Sequence, residues 1–241
     1  LEPGAQLFTP YGATEGLPLA SIGSDEILQE TRARTDSGEG VCVGRPVGDV
    51  AVEIIEISDE PIEEWRQAKR LLPGEIGEIV VRGSVVSRGY AHRPEADALA
   101  KIREGGAIWH RTGDVGYLDV KGRLWMCGRK AHRVEAETGT LFSVPCEAVF
   151  NAHPAVYRSA LVGVPGRDFA RPVVLIELEE ESRDLDTERL FAELRELGLK
   201  HAHTRDIETF LAHPGFPVDV RHNAKIFREK LAEWATQKLG R

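Results

Sequence analysis

Apolar residues fall in two rhythms along this chain. From residue 38 to 128 they alternate with polar ones or gather in short β-branched runs, the pattern of strands. Gln6-Leu7-Phe8-Thr9 reads as a short first strand. Ala51-Val52-Glu53-Ile54-Ile55-Glu56-Ile57 is a second, and 75–82, after the turn at Pro73-Gly74, a third. Tyr117-Leu118-Asp119 and Arg123-Leu124-Trp125-Met126 flank Val120-Lys121-Gly122, which predicts a hairpin with Gly122 at a positive φ. Strands at this spacing predict a small barrel or sandwich. Residues 24–37 are polar and read as a mobile loop.

Beyond Gly128-Arg129 the rhythm lengthens. A helix is predicted over 145–152, and apolar strands over 159–164 and 172–178. Residues 187–197 form an amphipathic helix, with Leu190, Phe191, Leu194 and Leu197 on one face and Gly198 ending it. A second helix is predicted over 224–238, its apolar face made by Phe227, Leu231 and Trp234. Asn223 suits its N-cap, which places Lys225 in the first helical turn. Mixed strands and helices after a β-rich block predict a separate α+β domain, with the boundary at 129–131.

Composition narrows the class. The 241 residues are 41% hydrophobic and 29% charged, as in a globular chain of one or two domains. No apolar run approaches the ~18 residues of a spanning helix. A net charge of -8 leaves no basic stripe for nucleic acid. Cys42, Cys127 and Cys146 have no paired spacing and read as reduced, buried thiols of a cytoplasmic protein. His201-Ala202-His203, His213 and His222 read as solvated polar positions and not as a metal site.

Four short motifs follow one another: Tyr11-Gly12-Ala13-Thr14-Glu15, Arg111-Thr112-Gly113-Asp114, Gly128-Arg129 and Asn223-Ala224-Lys225. In this order they resemble the later signature motifs of the adenylate-forming enzymes, the superfamily of acyl-CoA synthetases, luciferases and peptide-synthetase adenylation domains. The run from His110 to Asp119 resembles the family pattern over ten positions, with His110 where Tyr or Phe is more usual. The family's phosphate loop should lie well before the Tyr-Gly motif, and the chain begins only ten residues before it. The resemblance therefore implies the C-terminal portion of a larger enzyme, not active alone. Residues 1–129 would be the end of the large α/β AMP-binding domain, with a small β-barrel-like subdomain, and 130–241 a mobile, compact α+β lobe.

The resemblance implies roles that suit the residue types. ATP and Mg²⁺ would be the cofactors. Tyr11 offers a π-face for adenine, Thr14 a hydroxyl for a phosphate oxygen, and Glu15 a hard oxygen ligand for Mg²⁺, with Gly12 counted among the nucleotide-binding residues. Asp114 would accept from the ribose hydroxyls, and Arg129 would present a fork of donors to the ribose and phosphates. Lys225 would be catalytic, reaching the carboxylate and α-phosphate. The plain alternatives are a glycine turn with a solvated Glu15, a turn Asp114 that caps its own backbone, and a solvated Lys225. Gly89-Tyr90, between the nucleotide motifs, reads as packing without chemistry.

Within the superfamily, Pro145-Cys146-Glu147-Ala148-Val149-Phe150-Asn151-Ala152-His153-Pro154, together with 11–15 and 221–228, resembles the branch that closes β-lactones in bacterial long-chain olefin biosynthesis. Ala131 stands where most members carry an acidic or Lys hinge residue. That branch implies a long-chain 2-alkyl-3-hydroxy fatty acid as substrate, activated to an acyl-adenylate and closed by its own hydroxyl. It also implies other enzymes of a hydrocarbon pathway as partners, with neither nucleic acid nor a membrane span. A fatty acyl-CoA synthetase would share every nucleotide motif. A non-enzymatic descendant is the third reading, against which Glu15, Asp114 and Lys225 stand together.

Overall fold

The computed structural model describes residues 4–219 and 222–240. The chain divides into two compact units, Leu1–Thr35 with Glu39–Ala131, and Asp36–Gly38 with His132–Arg241.

The first unit is built on one eight-stranded antiparallel sheet. Its strands are β1 (Phe8–Ala13), β2 (Gly16–Gly23), β3 (Val41–Pro46), β4 (Ala51–Ile55), β5 (Gly77–Arg82), β6 (Lys101–Glu104), β7 (Ala107–Leu118) and β8 (Leu124–Arg129). They run in the order β1-β2-β3-β8-β7-β5-β4, with β6 also paired to β7. The sheet does not close on itself, so the expected barrel is an open sheet. β5 shows how it is filled. Ile79 and Val81 face a cluster with Leu19, Val52, Ile54 and Leu124, while Val80 faces Ile55, Ile102 and Trp109. Burial on both faces explains why this strand reads as a continuous apolar run. At the β7–β8 hairpin Gly122 takes φ +71°. Asp119 Oδ1 accepts the backbone N–H groups of Lys121 and Arg123, each at 2.9 Å, and fixes the turn.

Residues 24–36 are helical where a mobile loop was expected, as α1 (Ser24–Glu26), a π turn (Ile27–Thr31) and α2 (Arg32–Asp36). Tertiary charge pairs explain the difference. Glu26 meets Arg45 at 3.1 Å, and Glu30 meets Lys121 at 2.6 Å and Arg123 at 3.0 Å. A short helix, α3 (Pro94–Ala100), opens on Pro94 and precedes β6.

The second unit opens with the hairpin β9 (Val134–Ala136) and β10 (Gly139–Leu141) and the helix α4 (Ser143–Asn151). Then come β11 (Val156–Val164), β12 (Arg171–Leu178), α5 (Thr187–Gly198), β13 (Thr209–Ala212), β14 (Val218–Asp219), β15 (His222–Ile226) and α6 (Arg228–Leu239). β11 and β12 pair antiparallel, and β13 joins β12 in parallel. Alternation sorts the side chains of this three-stranded sheet. Leu161, Val174 and Ile176 pack with Phe150 of α4 and Leu190, Phe191 and Leu194 of α5. Ala160, Val162, Val173 and Leu175 pack with Leu231 and Ala235 of α6. Asp186 caps α5 by accepting the Glu188 N–H at 3.0 Å.

The start of α6 differs from the expectation. Residues 222–226 are a strand, Ile226 pairs with Val218, and the Phe227 N–H donates to the Pro217 carbonyl at 2.9 Å. With these backbone groups spent on the hairpin, the helix begins at Arg228 with Phe227 as its N-cap. Asn223 is not the cap, and Lys225 lies on a strand, outside the helix.

Candidate nucleotide site

The backbone of β1 and β2 first brings the Tyr-Gly motif to the sheet. Their register shifts between Tyr11 and Ala13, where the chain turns tightly back to Gly16. A Cβ on Gly12 would lie 2.5 Å from the Gly16 carbonyl oxygen, so only glycine fits there. On the other side of the motif, the Ser87 N–H donates to the Glu15 carbonyl at 2.7 Å.

Asp114 is buried within β7, just before a bulge, and not on the turn or loop its Gly-Asp pair suggests. Its neighbour Gly113 supplies a positive φ of +72° inside the strand. Arg129 is its direct partner across the β7–β8 ladder. The Tyr11 hydroxyl donates to Asp114 Oδ2 at 2.6 Å, and Arg129 Nε pairs with Oδ1 at 3.1 Å. Burial raises the Asp114 pKa, while Tyr11 and Arg129 pull it down. Burial and the Asp114 charge together push the Tyr11 phenol well above its ordinary range, so it stays a donor. The Tyr11 ring packs against the Leu19–Leu124 cluster while its hydroxyl serves Asp114.

A cavity of about 460 Å³ opens beside this pair, lined by Thr14, Glu15, Tyr90, His110, Thr112 and Arg129 among others. Thr14 is exposed. Glu15 accepts the Tyr90 hydroxyl at 2.7 Å, and that bond holds its carboxyl below the usual carboxylate range. No Lys or Arg forms an ion pair with Glu15 among the described residues, so its charge is not spent on a side-chain cation. Arg111, by contrast, is spent on structure. It is buried against Glu78 at 2.6 Å and also donates to the Glu60 and Ser58 carbonyls. Lys130 pairs with the same Glu78 at 3.3 Å.

Lys225 belongs to the second unit, where it is exposed on β15. Of the sequence candidates, the first unit brings together Tyr11, Asp114 and Arg129 as one bonded set, and Thr14, Glu15 and Arg129 as lining of one cavity. Tyr90, Lys101 and His110 were missed. Tyr90 binds Glu15 across 75 positions of sequence. Lys101 is buried with its Nζ 2.6 Å from the Ser87 carbonyl and 5.3 Å from the Tyr90 ring centre. No local signal ties these residues to Glu15; the unusual His110 within its motif was the one legible clue. Elsewhere, His203 is not solvated as expected. It is partly buried and lies 3.2 Å from the Pro145 carbonyl.

No protein-family model matches the chain. It is 48% identical over 98% of its length to the olefin beta-lactone synthetase of Xanthomonas campestris pv. campestris, spanning 43% of that protein. It is 48% identical over 99% of its length to the olefin beta-lactone synthetase of Stenotrophomonas maltophilia, spanning 44% of it. The chain thus spans less than half the length of these relatives. Among solved structures, the amide bond synthetase McbA of Marinactinospora thermotolerans, as its K483A mutant, superposes with a TM-score of 0.74. The superposition covers 95% of this chain and 42% of that one, at 27% identity.

Proposed function

We propose that this chain, which belongs to the adenylate-forming superfamily, is part of an ATP-dependent β-lactone synthetase acting on a 2-alkyl-3-hydroxy fatty acid. The observation that carries the reading is 48% identity, along nearly the whole chain, to two olefin beta-lactone synthetases. In the first step a carboxylate oxygen attacks the α-phosphorus of ATP, and pyrophosphate leaves with the electron pair of the broken P–O bond. In the second, the 3-hydroxyl oxygen attacks the acyl carbon, AMP departs with its bonding pair, and the hydroxyl proton is released. The second nucleophile is already attached, so effective molarity works against the strain of a four-membered ring.

The residues divide this work. Asp114 accepts from the ribose hydroxyls, its charge kept in place by Tyr11 and Arg129. Arg129 reaches toward the phosphates from the same strand end, Gly12 lets the backbone approach closely, and Tyr11 flanks the adenine. Thr14 donates to a phosphate oxygen. Glu15, an ionised oxygen donor at the cavity, suits Mg²⁺, a hard ion held by one or two carboxylates together with waters and phosphates. When bound, the ion offsets phosphate charge. Lys225 brings a cation to the carboxylate and α-phosphate from the second unit, which acts as a mobile lobe. Three buried cysteines support a cytoplasmic setting, beside other enzymes of a hydrocarbon pathway.

The test is cofactor dependence in the full-length protein. The reading expects AMP release from a 3-hydroxy acid without added CoA. Turnover that requires CoA and yields a thioester would instead favour a fatty acyl-CoA synthetase.

A further inference from the structure

His110 sits in β7 as the cross-strand partner of both Val81 and Lys101, buried in the sheet and lining the cavity of Thr14, Glu15 and Arg129. Its Nδ1 lies 3.2 Å from the Ala100 carbonyl oxygen at the end of α3. A carbonyl oxygen only accepts, so Nδ1 carries the hydrogen of that bond. In a neutral ring Nε2 is then a bare acceptor. Burial pushes the His110 pKa down to about 4, so the ring is neutral at pH 7.

Nε2 has no protein partner among the described residues, and the one buried side-chain atom left unpartnered there is Arg228 Nε. His110 is only 3% exposed, and the open space that its ring borders is the cavity. An acceptor placed there fits a ligand that donates. Phosphate oxygens and a carboxylate offer no hydrogen, whereas a hydroxyl does. Two hydroxyl sources belong to the reaction, the ribose and the acid, and Asp114 already serves the ribose in the reading above.

Resting on that reading, we propose that His110 is a positioning residue whose Nε2 accepts a hydrogen bond from the substrate's 3-hydroxyl and turns its oxygen toward the acyl carbon. In closure the hydroxyl oxygen–acyl carbon bond forms and the acyl carbon–oxygen bond to AMP breaks. The proton passes to the departing phosphate, because a ring this weakly basic orients the hydroxyl without keeping its proton. A site that bonds a hydroxyl also distinguishes hydroxy acids from plain fatty acids.

The experiment compares His110→Phe and His110→Gln with the native full-length protein, reading how the acyl-adenylate partitions between lactone and hydrolysed acid. Loss of one neutral hydrogen bond corresponds to about tenfold. The lactone-to-acid ratio is expected to fall about tenfold in His110→Phe and to recover in part in His110→Gln, whose amide oxygen also accepts. An unchanged ratio overturns the assignment while leaving the proposed function standing. So does a raised KM for ATP at unchanged ratio, which would place the bond on the ribose. Absence of lactone from the native protein overturns the function, and this inference with it.

Discussion

Removing the carboxylate of Glu147 should destabilise the second unit more than any surface change. Glu147 lies on α4 and is buried. Its two carboxylate oxygens share one nitrogen, Arg228 Nη2, at 2.8 and 2.6 Å, and Oε1 also accepts the Leu161 N–H at 2.8 Å. One side chain thus ties α4 to β11 and to the first residue of α6. Glu147→Leu leaves a largely buried guanidinium without a countercharge and an orphaned N–H on β11, an edge strand of its sheet. Breaking a buried pair from one side costs about 3–5 kcal/mol. At roughly 2–4 °C per kcal/mol for a chain of this size, the melting temperature should fall by about 6–20 °C. Thermal unfolding followed by far-ultraviolet circular dichroism reads this directly. Arg228→Met alone should cost a similar amount, and the double variant Glu147→Leu/Arg228→Met should regain most of the loss, since neither charge is then stranded. Single variants within ~1 kcal/mol of native, or a double variant whose cost is the sum of the singles, would refute the reasoning.

Three further predictions concern chemistry. Asp114→Ala should raise the KM for ATP and lower kcat/KM by roughly 10- to 100-fold, the worth of charge-assisted bonds to ribose; unchanged ATP dependence in steady-state kinetics would remove it from the nucleotide site. Lys225→Ala should cut ATP–pyrophosphate exchange by about 10²–10³ with the fold intact, and normal exchange would reduce it to a surface lysine. Tyr90→Phe deletes the hydrogen bond that holds the Glu15 pKa down, so that pKa rises. Ionised Glu15 is then lost at a higher pH, and the acid limb of the rate profile should move upward, with more Mg²⁺ needed for half-maximal rate. A profile identical to native would separate Tyr90 from the site.

Much of the architecture was legible because its signal is local. Alternation in β4 and the hairpin residues around Gly122 mark strands directly, and the spacing of Leu190, Phe191 and Leu194 marks α5. The helical stretch at 24–36 was not legible, because Glu26 and Glu30 are held by Arg45, Lys121 and Arg123 from distant parts of the sheet. The start of α6 misled for a related reason. Asn223 is a good cap in isolation, but pairing with β14 claims that backbone first. At the site, residue types and motif order pointed to Tyr11, Glu15, Asp114 and Arg129. The bonds among them depend on sheet register, which places Asp114 opposite Arg129 and brings Tyr90 to Glu15. Glu147 was legible only as part of a motif, since its partners lie 14 and 81 positions away.

The claim of carboxylate activation followed by internal closure can be traced atom by atom. The measurement is mass spectrometry of AMP and organic product after turnover of a 3-hydroxy acid carrying ¹⁸O in both carboxyl oxygens, with ATP, Mg²⁺ and no CoA, using the full-length protein. Carboxylate activation places one ¹⁸O in AMP and one in the lactone carbonyl, with the ring oxygen unlabelled. Unlabelled AMP, or a labelled oxygen in the ring, would mean that the hydroxyl was activated in place of the carboxylate and would contradict it.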